Sequence, residues 1–353
     1  MKKRNLIIFD LVKLVCALLV VCIHASAVVG APAWIQFYVT DVAARFAVPL
    51  FFGMSGFLFF SRLEYENGRI RACPENLARL RRQFCRTARL YLGWSAAYLL
   101  IVQLPEWYRT GWWGMYVIKD YLVSLFFQGS YYHMWYMLAL VYAVPVLYGL
   151  LSVIPVRKAA AVAAALWICE CLTYSYTWLG TDRIAPVMLI GTKMPIVYDT
   201  LLRAVPLLFL GAYLSQHPPA GKPRLWAVLA AAVLCAGEAT ALYLRDPGSG
   251  RYSYLFLTPL AAYLLLKALL QSRPVRLRPG VGVRMRSLST NVYLIHPMVI
   301  VFLAPLSIPE GPAHYGAVVT VPVLLSLLLD AGIAGLRHCT KQLRSRRIAL
   351  FGK

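Results

Sequence analysis

The chain has 353 residues, of which 60% are hydrophobic and 14% charged, and its mean hydropathy is +0.63. Soluble domains carry about 25% charged residues, so an ordinary water-soluble fold is excluded and a membrane protein is expected. The formal net charge of +22 does not point to nucleic acid, because Lys and Arg fall in short clusters between long apolar runs, which is the positive-inside pattern.

Ten apolar runs suit a hydrocarbon core of about 30 Å: residues 6–29, 37–60, 90–104, 133–153, 159–178, 200–215, 225–244, 252–270, 288–305 and 315–336. With its basic "MKKRN" and the small residues Ala25, Ser26 and Ala27, the first run has the outline of a secretory signal. Asp10 and Lys13 interrupt its approach to the core and a second run follows at once, so it is read as a retained span. The expected fold is an all-α polytopic bundle of about ten transmembrane helices over residues 1–340, with a basic cytoplasmic tail at 341–353. With the N-terminus cytoplasmic, inner segments hold 27 Lys and Arg and outer segments 8, Lys13 completing the 36. That asymmetry predicts both termini inside. "GWWGMYVIKDYLVSLFFQGS" (111–130) and "RIAPVMLIGTKMPIVYD" (183–199) are apolar but broken by charge, and are assigned to interfacial or re-entrant helices on the outer face, an eleventh span being the alternative. The eight cysteines lack metal-like spacing and read as packing residues, so no metal is expected.

Several polar residues inside these runs need a reason. Lys13 and His24 are eleven apart, which returns them to one helix face about 16 Å apart along the axis. Asp10, three before Lys13, is placed to pair with it. Arg45 falls in the second run about 10 Å below the outer surface by helix rise, where a guanidinium needs a partner or a wet cavity. His133, Arg203 and Glu238 fall at a similar depth, so that with His24 and Arg45 they suggest an enclosed polar site, Glu238 being alternatively a counter-ion for Arg45 or Arg203. On the cytoplasmic side Arg79, Arg81, Arg82, Arg86 and Arg89 form a cluster able to hold phosphate or simply lipid headgroups. Ser289, Asn291, Tyr293 and His296 are placed in the inner half of the ninth run, where a histidine either bonds a neighbouring helix or lines a pathway.

These residues resemble the motifs of the acyltransferase 3 family of multi-pass membrane acyltransferases. The first run is similar to the family's basic residue, ten intervening residues and histidine, with Lys13 where arginine is commoner and then His24. "RFAVPLFFGMSGFL" (Arg45 to Leu58), "HMWYM" (His133 to Met137) and "STNVYLIHP" (Ser289 to Pro297) are similar to its other motifs, in order along nearly the whole chain. Within the family the chain is similar to the membrane half of vancomycin-resistance serine racemases, through "GSYYHMWYMLA" and "GEATALY"; their racemase domain is not expected here, nor pyridoxal chemistry.

The resemblance implies transfer of an acyl group, acetyl by expectation, from cytoplasmic acyl-CoA to a hydroxyl or amine of an extracytoplasmic or membrane-associated acceptor such as an envelope glycan, in a bacterial plasma membrane. It implies His24 as general base, Arg45 as a second catalytic residue, and Lys13, Arg86 and Arg89 toward the CoA phosphates. His133, Trp135, Arg203, Glu238, Tyr293 and His296 are the candidate acceptor-binding residues. The rival reading is a transporter for a small serine-like solute, against which stands the lack of a visible repeat between the halves.

Overall fold

The computed structural model describes residues 7–180, 195–247, 249–275, 278, 280–328 and 332, and it is helical almost throughout. Hydrocarbon offers no hydrogen-bonding partner to the backbone, so apolar runs of this length satisfy their amides internally as helix. Six helices among the described residues are long and apolar enough to cross a membrane. They are α1 (Ile7–His24), α2 (Ala33–Phe60), α5 (Trp135–Val153), α7 (Pro195–Gln216), α8 (Leu225–Arg245) and α10 (Val281–Leu306). Four other apolar runs fall on helices that are shorter or more charged: α3 (74–110), α6 (Val156–Tyr174), α9 (Thr258–Gln271) and α11 (Pro312–Leu328). The interrupted stretch at 111–130 forms α4 (Met115–Phe127), preceded by exposed Trp112 and Trp113, side chains favoured at a membrane–water interface. Most of the second interrupted stretch, and the tail at 341–353, lie outside the described residues.

Three helices start well away from their apolar runs: α3, α9 and α10, the last at Val281, seven residues before its run. In α3 the first four turns are an arginine-rich amphipathic segment opened by Pro74, a residue suited to the first helical position; there a backbone amide holds the Glu75 carboxyl below its usual range. In α9 the helix begins at Thr258, six residues after the run, because the preceding amides are taken by a side chain described below.

The chain divides into two compact units, one of residues 1–9 and 31–275 and the other of 10–30 and 276–353. In the larger, α2, α5, α6 and α7 enclose Phe52, Phe60, Leu147, Leu151, Trp167, Leu207 and Leu208. Glycines let α2 and α7 meet backbone to backbone: a Cβ at Gly56 would collide with the Leu208 main chain, and one at Gly211 with Gly53 and Phe57. After α2 a hairpin of β1 (Tyr65–Glu66) and β2 (Arg69–Ile70) turns at Asn67-Gly68, both with positive φ as a two-residue turn of this type requires. Three helices each contain a π turn: Phe37–Ala43 in α2, Leu99–Gln103 in α3 and Tyr198–Ala204 in α7.

In the smaller unit α1 and α10 run in the same direction. Both Asp10 carboxylate oxygens accept from Arg286, at 3.0 and 2.9 Å, near the start of each helix, while His24 stacks on His296 further along. α11 runs back: His314 Nδ1 lies 3.2 Å from the Ala25 carbonyl, and Asn291 donates to Ser326 at 2.8 Å.

Close helix approach makes a sharp test. Gly56→Ala and Gly211→Ala are each expected to cost about 1 to 3 kcal/mol through overpacking, seen as a lower melting temperature in detergent. Gly237→Ala, on an open face of α8, should match the parent or exceed it.

Candidate functional site

In the smaller unit, His24 is the last residue of α1 and is half-buried. Its ring stacks on His296 with centroids 5.5 Å apart and 26° between planes. His296 is fully buried and its Nδ1 lies 2.8 Å from the Tyr293 carbonyl and 3.1 Å from that of Val292. Carbonyls only accept, so Nδ1 carries the proton and Nε2 the lone pair. The cause is Pro297: a proline has no N–H to give the residue four before it, and that residue is Tyr293. Its freed carbonyl is the one His296 takes. The Tyr293 ring stands 6.3 Å from that of His296.

Asp10 accepts from Arg286, a residue 276 positions away that no helical spacing reveals, and one sequence expectation is corrected in this unit. His296 does not sit in the inner half of its helix. α10 begins at Val281, well before the apolar run, so His296 lies about 22 Å along it and level with His24. Lys13, half-buried, is on α1 as expected.

In the larger unit, Arg203 projects from the π turn of α7. Its Nε donates to Glu170 Oε1 of α6 at 2.6 Å, and its NH1 donates to Asp199. Three rings surround the guanidinium: Tyr254 at 4.6 Å, Tyr174 at 5.7 Å and Trp135 at 6.0 Å. His133, two residues before Trp135, is buried against Tyr98, Tyr131 and Tyr132, its ring 5.0 Å from that of Tyr98. Arg45 follows the π turn of α2 and pairs with Asp41 at 3.6 Å. Among the described residues, Arg45 Nε, Gln103 Oε1, Thr200 Oγ1 and Glu170 Oε2 are buried without a hydrogen-bond partner. Gln103 and Thr200 belong to π turns, Arg45 follows one and Glu170 faces one. Buried polar atoms are seldom left so, and π turns recur at functional sites.

Glu238 is not the counter-ion of either arginine. Its carboxylate accepts from the amides of Phe256 at 2.6 Å and Leu257 at 3.0 Å, and from the Tyr176 hydroxyl at 2.5 Å. It therefore caps α9 from a distant helix, satisfying amides that a helix start leaves open. Arg86 and Arg89 lie exposed on α3, the Nε of Arg89 donating to the Cys85 carbonyl, while Arg79 is held by Asn76 at 3.0 Å. The structure thus joins Trp135 with Arg203 in one unit and His24, Tyr293 and His296 in the other. Glu170 and Asp199 were missed. Asp199 carried a signal, four residues before Arg203 in "YDTLLR", and Glu170 another, an acid inside the apolar "WICECL".

Residues 6–331 match the model of a protein family described as an acyltransferase domain. A protein of Enterococcus faecalis named amino-acid racemase is 24% identical over 345 residues, covering 93% of this chain and 45% of that protein. The chain therefore spans less than half the length of that relative. No solved structure matches.

Because Glu238 is fully engaged with its own fold, Glu238→Ala should lower the melting temperature, by the about 1 to 2 kcal/mol typical of a lost cap, while leaving the acceptor KM unchanged. A raised KM at unchanged stability would instead return Glu238 to the substrate site.

Proposed function

From the premise that this chain belongs to the acyltransferase 3 family, we propose that it transfers an acyl group, acetyl in the simplest case, from cytoplasmic acyl-CoA to an acceptor reached from the opposite side of a bacterial plasma membrane, such as an envelope glycan. The observation that carries the reading is the His24–His296 stack, a fixed pair of imidazoles where α1 meets α10. His24 accepts the acceptor's hydroxyl proton as the oxygen attacks the thioester carbonyl; the C–S bond breaks, and the CoA thiolate leaves and takes the proton. His296, its tautomer fixed by the Tyr293 carbonyl, positions the His24 ring. Exposed Arg86 and Arg89, with Lys13, are suited to the CoA phosphates, since guanidinium forks match phosphate geometry. Arg45, with a buried N–H that lacks a partner among the described residues, is suited to charge developing on oxygen. Family membership favours this reading over a solute transporter.

Ten spans with both termini cytoplasmic complete the proposal. If only the six long apolar helices crossed, α10 would be the sixth and would run against α1. The two run the same way, which supports an odd number of further crossings between them; α3, α6 and α9 together make α10 the ninth and α11 the tenth. Reporter fusions after Lys353 and in the loop at Pro247 are expected on opposite sides of the membrane, and a same-side result contradicts the count.

Turnover of labelled acetyl-CoA per folded molecule tests the chemistry. His24→Ala should lose transfer by about 100-fold to 10,000-fold with its melting temperature and CoA binding kept. His296→Phe, which keeps a ring but not the hydrogen bond, should lose less, and its pH profile should change. Near-normal turnover by His24→Ala excludes the general base.

A further inference from the structure

The cluster around Arg203 carries an unbalanced charge. Two carboxylates, Glu170 and Asp199, share one guanidinium, and among the described residues neither is ion-paired with a second cation. Fully ionised, the group sums to one negative charge. Glu170 is 0% exposed and its Oε2 has no hydrogen-bond partner among the described residues, so this oxygen is withdrawn from water while the guanidinium on Oε1 is shared with Asp199. Such a group is costly unless a cation completes it. The surrounding faces of Trp135, Tyr174 and Tyr254 add negative quadrupole potential, the environment in which ammonium groups are held. The cluster is not sealed: the side chains of Arg203 and Asp199 are 18% and 10% exposed, so it opens on their side.

We propose that Glu170, Asp199 and the rings around Arg203 recognise a cationic nitrogen on the acceptor. The inference rests on the acyltransferase reading and narrows it. A nitrogen held as ammonium has no lone pair with which to attack a thioester, so the acyl group goes to a hydroxyl of the same molecule. The oxygen–carbon bond forms, the carbon–sulfur bond breaks, and the hydroxyl proton ends on CoA. The acceptor class is therefore amino sugars and amino alcohols, acylated on oxygen.

The test uses the full chain in detergent without any acyl donor, so that it stands apart from turnover. Thermal-shift titrations compare glucosamine with glucose and ethanolamine with ethylene glycol, below the amine pKa. The amine of each pair is expected to bind more tightly by about tenfold or more. Glu170→Gln should abolish that preference; Asp199→Asn, which removes the surplus charge but keeps the Arg203–Glu170 pair, should do the same if Glu170→Gln does not fold. Equal binding within both pairs, or a preference that survives in Asp199→Asn, overturns the proposal and assigns the cluster to helix packing or to a bound proton. Hydrolysis of labelled acetyl-CoA by the same preparation separates that failure from failure of the acyltransferase reading.

Discussion

A guanidinium cannot rest in hydrocarbon without a structure made to hold it, and the larger unit is organised about that demand. Arg203 draws a carboxylate from α6, another from its own helix, and rings from α5, α6 and the segment before α9. That segment is itself fixed, since the Trp167 indole donates to the Leu255 carbonyl and Glu238 takes the next amides. Removing one partner of a buried ion pair costs about 3 to 5 kcal/mol, because the other charge is left buried and unpaired, so these helices must keep their arrangement around Arg203.

The π turns are the second consequence. A π turn widens the helix and weakens its hydrogen bonding, and the three among the described residues of the larger unit carry or adjoin polar side chains: Asp41 and Arg45, Gln103, which donates to the Ser130 carbonyl, and Asp199 with Arg203. Elsewhere helices approach backbone to backbone, as at Gly56 and Gly211. Irregular backbone is tolerated at membrane depth only where protein or a wet cavity surrounds it.

Hydropathy made the helices legible, because a bilayer imposes length and apolarity directly on sequence; among the described residues each apolar run overlaps a helix. The starts of α3 and α9 were not legible, one being amphipathic and the other set by Glu238 from another helix. His24 and Arg203 stood out as polar groups in apolar runs. Their distant partners did not, since Glu170 lies 33 residues from Arg203 and His296 lies on a helix at the far end of the sequence from His24; Arg286, 276 residues from Asp10, was equally out of reach. Asp199 was within reach of helical spacing and was passed over.

Pro297 has no proton to give, and that deficiency decides where a neighbour's proton sits. By leaving the Tyr293 carbonyl open it fixes Nδ1 of His296 as the donor. An alanine there would restore the helix amide as a competitor for that oxygen and leave the Val292 carbonyl, at 3.1 Å, as the other acceptor for the Nδ1 proton. The proline and the ring beside it thus belong together: the missing amide frees the carbonyl on which the His296 tautomer rests.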